Sequence, residues 1–442
     1  MKRFVIFLFI FFLVVFTGLF CDGGDSGQPL IQQLRTIPGL KVVKTLKPAL
    51  HFNQILQLTI TQPLDHQHPE TGTFQQTIFL SHVDQNAPTI FVPDGYAAFR
   101  NRLFELTALL KCNQVYVGHR FYFGSSPDKM NWSLLTQQQA AADYHRVITS
   151  LKSLYTGKWL SGSISKGGLE CLFHRRYYPN DVAGTIAYVA PAALAPHDPR
   201  IEDFILHKAG SPEARSAISD FQRSILKNRR HIIPAIKAVC EKSGKTYAVS
   251  YEQMLEYHVL EYPFSFWQYS SGDPASIPGP DSTPQELHKH LLEILGPYTW
   301  YTTDATTLRY PNVYESFTQI GYYRYLTTHL KDLLQATPPG PSDKDFAPPD
   351  VSLKFDPQPM KDLLQWLKTR GQRIICLYGA RDPWTSCAVA LNPRNDTILH
   401  IAPDQNHSLR LQKLPKPVRN KILQRINSWL DKPAVAQTTA KK

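Results

Sequence analysis

Between residues 89 and 191 short apolar runs alternate with stretches of helical pattern. Residues 89–93, 114–117, 159–163 and 184–189 read as strands. Residues 136–154 read as a helix with an apolar face through Ala140, Val147, Ile148 and Leu151, and a second helix starts near Lys166 and must stop before Pro179. Such alternation calls for a parallel sheet covered by helices, since parallel neighbours need a crossover long enough to hold one. Two further strands, 56–62 and 74–82, flank a turn segment upstream. The pattern breaks near His197, where the chain turns mainly helical, with candidate helices at 212–240, 285–295 and 314–335 and dense tyrosine and tryptophan between Tyr251 and Tyr325. It returns with strands at 373–378 and 397–401 and an amphipathic helix at 417–430. The economical architecture is α/β: one domain built from both ends of the chain (50–196 and 368–432), a helical cap inserted at 197–367, and a disordered tail at 433–442.

Composition removes several alternatives. The 442 residues suffice for a large core, and 34 prolines argue against a helical bundle. No fixed-period repeat supports a solenoid or propeller. The formal charge of +12 is spread along the chain, with small groups at 227–231 and 413–425, so it lacks the clustered footprint of a nucleic-acid binder. Lys2 and Arg3 precede an uncharged apolar run from Phe4 to Cys21 and a polar exit, the layout of an export signal over residues 1–21. That run leaves open a retained membrane anchor, or lipidation at Cys21. The expected location is therefore secreted, periplasmic or envelope-associated. None of the six cysteines forms a C-x-x-C pair, so no structural metal site is expected, and their pairing is not legible. Neither is the oligomeric state.

The chemistry is concentrated in three places. Ser163-Ile164-Ser165-Lys166-Gly167-Gly168 lies between a strand and a helix, the setting of a nucleophile elbow. Small residues two before and two after Ser165 suit that tight turn, although serine stands at 163 where glycine is usual. The helix beginning there directs free N–H groups at developing negative charge, and the Lys166 N–H is one expected oxyanion donor. A second is expected from Tyr96, in the loop after strand 89–93, where Gly95 lets backbone approach a substrate. The strand at 373–378 ends in Gly379 and leads to Asp382-Pro383, the place for an acid that orients a base. His407 follows the last strand, where the base belongs. Order and placement together make Ser165, Asp382 and His407 the expected triad. No cofactor is implied.

The strings Ser165-Lys166-Gly167-Gly168, Tyr178-Pro179-Asn180-Asp181-Val182, Thr61-Gln62-Pro63-Leu64-Asp65-His66, His119-Arg120-Phe121 and Asp382-Pro383-Trp384 resemble the secreted serine tripeptidyl aminopeptidases, distant relatives of prolylcarboxypeptidase. The matches run from Thr61 to His407. The resemblance implies an α/β-hydrolase fold, and an exopeptidase that removes short peptides, tripeptides foremost, from free N-termini of oligopeptides. The alternatives are an esterase or lipase on the same fold, and a non-catalytic envelope-binding protein. This chain departs from the family by carrying Gly118 where glutamate usually precedes His-Arg, and Asp94 for a glutamate before Gly-Tyr. Asp94 and Glu315 are the candidate partners of a substrate's α-amino group, with Gly95 beside it.

Overall fold

The computed structural model describes residues 29–431, so the expected signal segment 1–21 and the tail 433–442 lie outside it. Nine strands form one sheet: β1 Leu40–Leu46, β2 Gln54–Pro63, β3 Thr73–His82, β4 Thr89–Pro93, β5 Asn113–Val117, β6 Trp159–Ile164, β7 Gly184–Tyr188, β8 Ile374–Gly379 and β9 Thr397–Ala402. Their spatial order is β1-β2-β3-β5-β4-β6-β7-β8-β9. β1, β2 and β3 pair antiparallel, β3 meets β5 antiparallel, and every pairing from β5 to β9 is parallel. β4, β5, β7 and β8 are buried along their whole length, which is why their sequences are apolar runs without alternation.

Helices seal both faces. Helix Gln137–Lys152 lays Tyr144, Val147, Ile148 and Leu151 against Leu56, Leu58, Phe91 and Val115. Helix Lys416–Trp429 covers the opposite face with Ile422, Ile426 and Trp429 over Ile90, Leu160, Ile186 and Ile375. The five cysteines among the described residues are buried, behaving as small apolar side chains.

The inserted region has a core of its own, in which Phe221, Ile225, Met254, Leu255, Leu260, Phe266 and Leu287 meet. Its longer helices are Pro212–Lys227, Arg229–Ser243, Tyr251–Tyr269, Pro284–Leu295 and Thr303–Glu315. Pro263 inside Tyr251–Tyr269 cannot bond back to Val259, and the Gln222 amide donates to that carbonyl at 2.6 Å instead.

The boundaries differ from expectation at several points. The lead-in is ordered before residue 50, with helix Pro29–Arg35 and strand β1 extending the sheet. Residues 358–369 belong with the sheet and not with the cap: helix Gln358–Thr369 buries Met360, Leu363 and Leu367 beside Leu172, Phe173, Cys376 and Tyr378. The expected helix 212–240 is two, parted at Asn228. The expected helix 314–335 does not form. A π-turn at Ser316–Ile320 ends at Gly321, whose φ of 74° breaks the helix where a Cβ would stand 2.7 Å from that of Ala193.

Candidate active site

β6 delivers the chain to Ser165, which adopts φ 57° and ψ −130°, a strained conformation for any residue but glycine. Helix Lys166–Tyr177 starts at the next residue. The turn is held by Ser165 N–H donating to Tyr188 O at 2.8 Å and by Leu169 N–H donating to Ser165 O at 3.0 Å. Its tightness explains the small residues around it. A Cβ on Gly167 would fall 2.5 Å from both Pro93 O and Ser163 Oγ, and one on Gly95 would fall 2.5 Å from Gly167 N. Loop and elbow are therefore in backbone contact. Ser163, in the place usual for glycine, donates its hydroxyl to Pro93 O at 2.7 Å and ties β6 to the end of β4.

Asp382 follows β8 and caps the short helical turn Pro383–Cys387, accepting from Trp384 N–H at 3.1 Å. Its other oxygen receives His407 Nδ1–H at 2.6 Å, with the carboxylate fully buried and the imidazole nearly so. This leaves Nε2 as the ring's basic nitrogen. The loop carrying His407 lies directly on Gly379, where a Cβ would be 2.5 Å from Gln405 O and Asn406 O. A bond this short fixes the orientation of the ring. Ser165 ends β6, and the acid and base follow β8 and β9, all at the C-terminal edge of the sheet. β6 and β8 are separated by β7 alone, about 10 Å at the usual strand spacing.

Beside the elbow lies a buried charged cluster that the sequence did not disclose. Lys166 turns its side chain inward, donating to Gly95 O at 2.7 Å and Glu170 Oε1 at 2.9 Å, and lying 3.1 Å from Glu315 Oε2. Burial opposes its charge, but the two glutamates outweigh burial and raise the ammonium above its ordinary range. Glu170 is correspondingly held below the usual carboxylate range, Lys166 and His119 overcoming its burial. His119 Nε2 sits 3.2 Å from Glu170 and 3.4 Å from Glu315. His119, Glu170 and Glu315 could present three metal ligands, yet the Lys166 ammonium already lies against both carboxylates. The missing acid at Gly118 is explained by space, since a Cβ there would be 2.9 Å from Ser125 Oγ.

The two candidate amine partners are occupied internally. Glu315, fully buried, accepts from Tyr122 OH at 2.8 Å and Gln137 Nε2 at 2.9 Å in addition to Lys166. Asp94 accepts a very short bond from Tyr116 OH, and burial pushes its carboxyl up, partly offset by Tyr116, Arg102, Lys166 and the Tyr96 N–H. Gly95 at φ 83° does bring backbone against the elbow. The Tyr96 ring is partly exposed above the Lys166 ammonium and meets Tyr122 edge-on. Lys166 N–H, at the first helical position, is one of the donors a helix leaves free.

The cap completes the surroundings. The end of helix Tyr251–Tyr269 is pinned to the base loop: His407 N–H donates to Gln268 O, Asn406 to Ser270 O, and Arg381 to Ser271 O. The Tyr269 ring stands edge-on to His407 at 6.0 Å. Phe264, Tyr322 and Tyr323 stack, and Trp384 meets them edge-on, in an aromatic wall beside Asp382.

A mixed sheet with this strand order, a positive-φ serine between strand and helix, and a buried acid–histidine pair after the last two strands define an α/β-hydrolase of the serine type. Comparison with known proteins narrows the class. The model of the PS-10 peptidase S37 family matches residues 28–441, and the chain belongs to that family; it is a serine-type peptidase. A prolyl tri/tetrapeptidyl aminopeptidase of Streptomyces mobaraensis is 33% identical over 402 residues, covering 89% of this chain and 83% of that protein. Among solved structures, a proline iminopeptidase of Mycobacterium smegmatis aligns over 84% of this chain and 98% of its own at 13% identity and a TM-score of 0.43. A proline iminopeptidase-related protein of Thermus thermophilus aligns over the same shares at 11% identity and a TM-score of 0.39. At that level of similarity they add nothing to what the strand order already says.

Proposed function

We propose that this peptidase removes short peptides, tripeptides foremost, from free N-termini, with Ser165 as nucleophile, His407 as general base then acid, and Asp382 as its orienting partner. The observation that carries the reading is the 2.6 Å bond between His407 Nδ1 and buried Asp382 at the sheet edge where the Ser165 elbow ends β6. In this reading His407 Nε2 takes the Ser165 proton as Oγ attacks the scissile carbonyl. The Lys166 N–H receives the oxyanion, with the Tyr96 N–H as second donor once it turns from the Asp94 carboxylate. Collapse transfers the proton from His407 to the leaving amine, and water then releases the short peptide from the acyl-enzyme. The activity named for the Streptomyces relative supports the peptide length. The Phe264–Tyr323–Trp384 wall supports it further, since aromatic faces receive proline rings and apolar side chains.

Mass spectrometry of products from a mixed peptide library tests cut position and residue preference together. Release of three- or four-residue N-terminal fragments supports the reading; hydrolysis of short-chain esters without peptide cleavage overturns it. Ser165→Ala is expected to abolish fluorophosphonate labelling. Export of the mature enzyme, inferred from the basic, apolar and polar order of residues 1–27, is checked by N-terminal sequencing of protein recovered from the culture medium.

A further inference from the structure

The cap holds a second acidic group that the mechanism leaves unused. Glu261 lies on helix Tyr251–Tyr269, one row of side chains running Glu261, Ser265, Tyr269 at i, i+4 and i+8. Tyr269 ends that row against His407. Ser265 Oγ donates to Glu261 Oε1 at 2.8 Å and Tyr323 OH to Oε2 at 2.7 Å. Tyr323 in turn packs on Trp384, two residues beyond Asp382. Glu261 therefore borders the aromatic cluster beside Asp382, partly exposed where Glu315 is sealed.

Among the described residues no cation lies in ion-pair contact with Glu261. Asp343, bonded to Tyr325 OH at 2.9 Å, and Arg309 face it at longer range. Two carboxylates against one guanidinium leave Glu261 without a counter-ion. Burial and Asp343 accordingly push its carboxyl up to about 8, against Tyr323, Ser265 and Arg309, which pull it down. A proton fills the place that an ammonium would fill, and tyrosine faces beside it suit a cation.

Spacing adds an independent argument. Eight residues of helix separate Glu261 from Tyr269 by about 12 Å. Three extended residues span about 10 Å.

We propose that Glu261 anchors the substrate's α-ammonium and that the Glu261–Tyr269 face measures the released peptide at about three residues. This rests on the peptidase reading above and assigns its specificity to a residue distinct from Asp94 and Glu315. The test compares a free tripeptide p-nitroanilide, its N-acetyl form, and the dipeptide and single-residue anilides, on the full chain and on Glu261→Gln and Glu261→Asp, with thermal melting as the check on folding. The parent is expected to favour the free over the acetylated tripeptide at least tenfold in kcat/KM. Glu261→Gln is expected to lose most of that preference through KM and to flatten the dependence on length, while Glu261→Asp retains part of both. A folded Glu261→Gln that keeps the parent's free-to-acetyl ratio overturns the assignment of Glu261 and leaves the peptidase reading standing. A parent that cleaves none of the anilides overturns that reading itself.

Discussion

Single atoms decide much at the elbow. Ser163 looked like a weakness in the motif, yet its hydroxyl bridges to Pro93 O, a bond that glycine could not make. Ser163→Ala keeps the space and loses that bond, so a loss of about 1 kcal/mol in denaturant unfolding is expected, with fluorophosphonate labelling retained. Gly95→Ala is the harsher change. It combines φ 83° with a Cβ 2.5 Å from Gly167 N, so the loop must leave the elbow. Its kcat/KM is expected to fall by at least tenfold, measured on the free tripeptide anilide. Asp382→Asn preserves the shape but removes the charge that orients His407, and a loss in kcat on the order of 10^4 is expected. The positions of Ser165, Asp382 and His407 beyond the ends of β6, β8 and β9 were legible because each is defined by local order along the chain. The inward turn of Lys166 toward Glu170 and Glu315 was not, because Glu315 comes from a helix 149 positions away in the chain.

Helices and strands show a similar division. Every expected strand formed within two residues of its expected ends, since buried apolar runs bounded by turns leave little choice. Helix Tyr251–Tyr269 was read only as an aromatic-dense stretch, because it is buried nearly all round and shows no polar face for a 3.6-residue period to reveal. The helix expected at 314–335 failed at Gly321, where tertiary crowding by Ala193 and Ala195 sets the backbone. The long helix also carries a pH signature. Glu261 has a folded-state pKa raised to about 8 from the usual 4.5, chiefly by burial. Between those values the native protein holds a proton that the unfolded chain releases, so stability falls as pH rises through that window. Glu261→Gln has no such loss. Its melting temperature relative to the parent is expected to climb from pH 5 to pH 8, and a constant difference would contradict the raised carboxyl.

At the scale of the molecule, the cap is braced by another carboxylate. Glu256 accepts backbone N–H bonds from Gln335, Ala336 and Thr337 and pairs with Arg229 at 2.8 Å, joining three cap segments. Glu256→Ala leaves those donors unpaired and takes away the counter-ion of Arg229, so a loss of about 3–5 kcal/mol is expected in denaturant unfolding. The Glu256 carboxyl is held below its ordinary range because these N–H bonds and Arg229 outweigh burial. Its stabilisation is therefore present above about pH 4.5 and lost as pH falls through the depressed folded value, which melting of Glu256→Gln against the parent across that range would show. Sequence by itself determined the sheet layer, the interruption by a helical region and the places of Ser165, Asp382 and His407 after β6, β8 and β9, because hydrophobic period, turn chemistry and chain order are local properties. Tertiary structure alone decided where the sheet layer begins and the cap ends, which carboxylates are consumed by internal ion pairs, and that Glu261 is bonded by hydroxyls instead. Those outcomes depend on what burial brings together from distant segments, and burial has no counterpart in residue order.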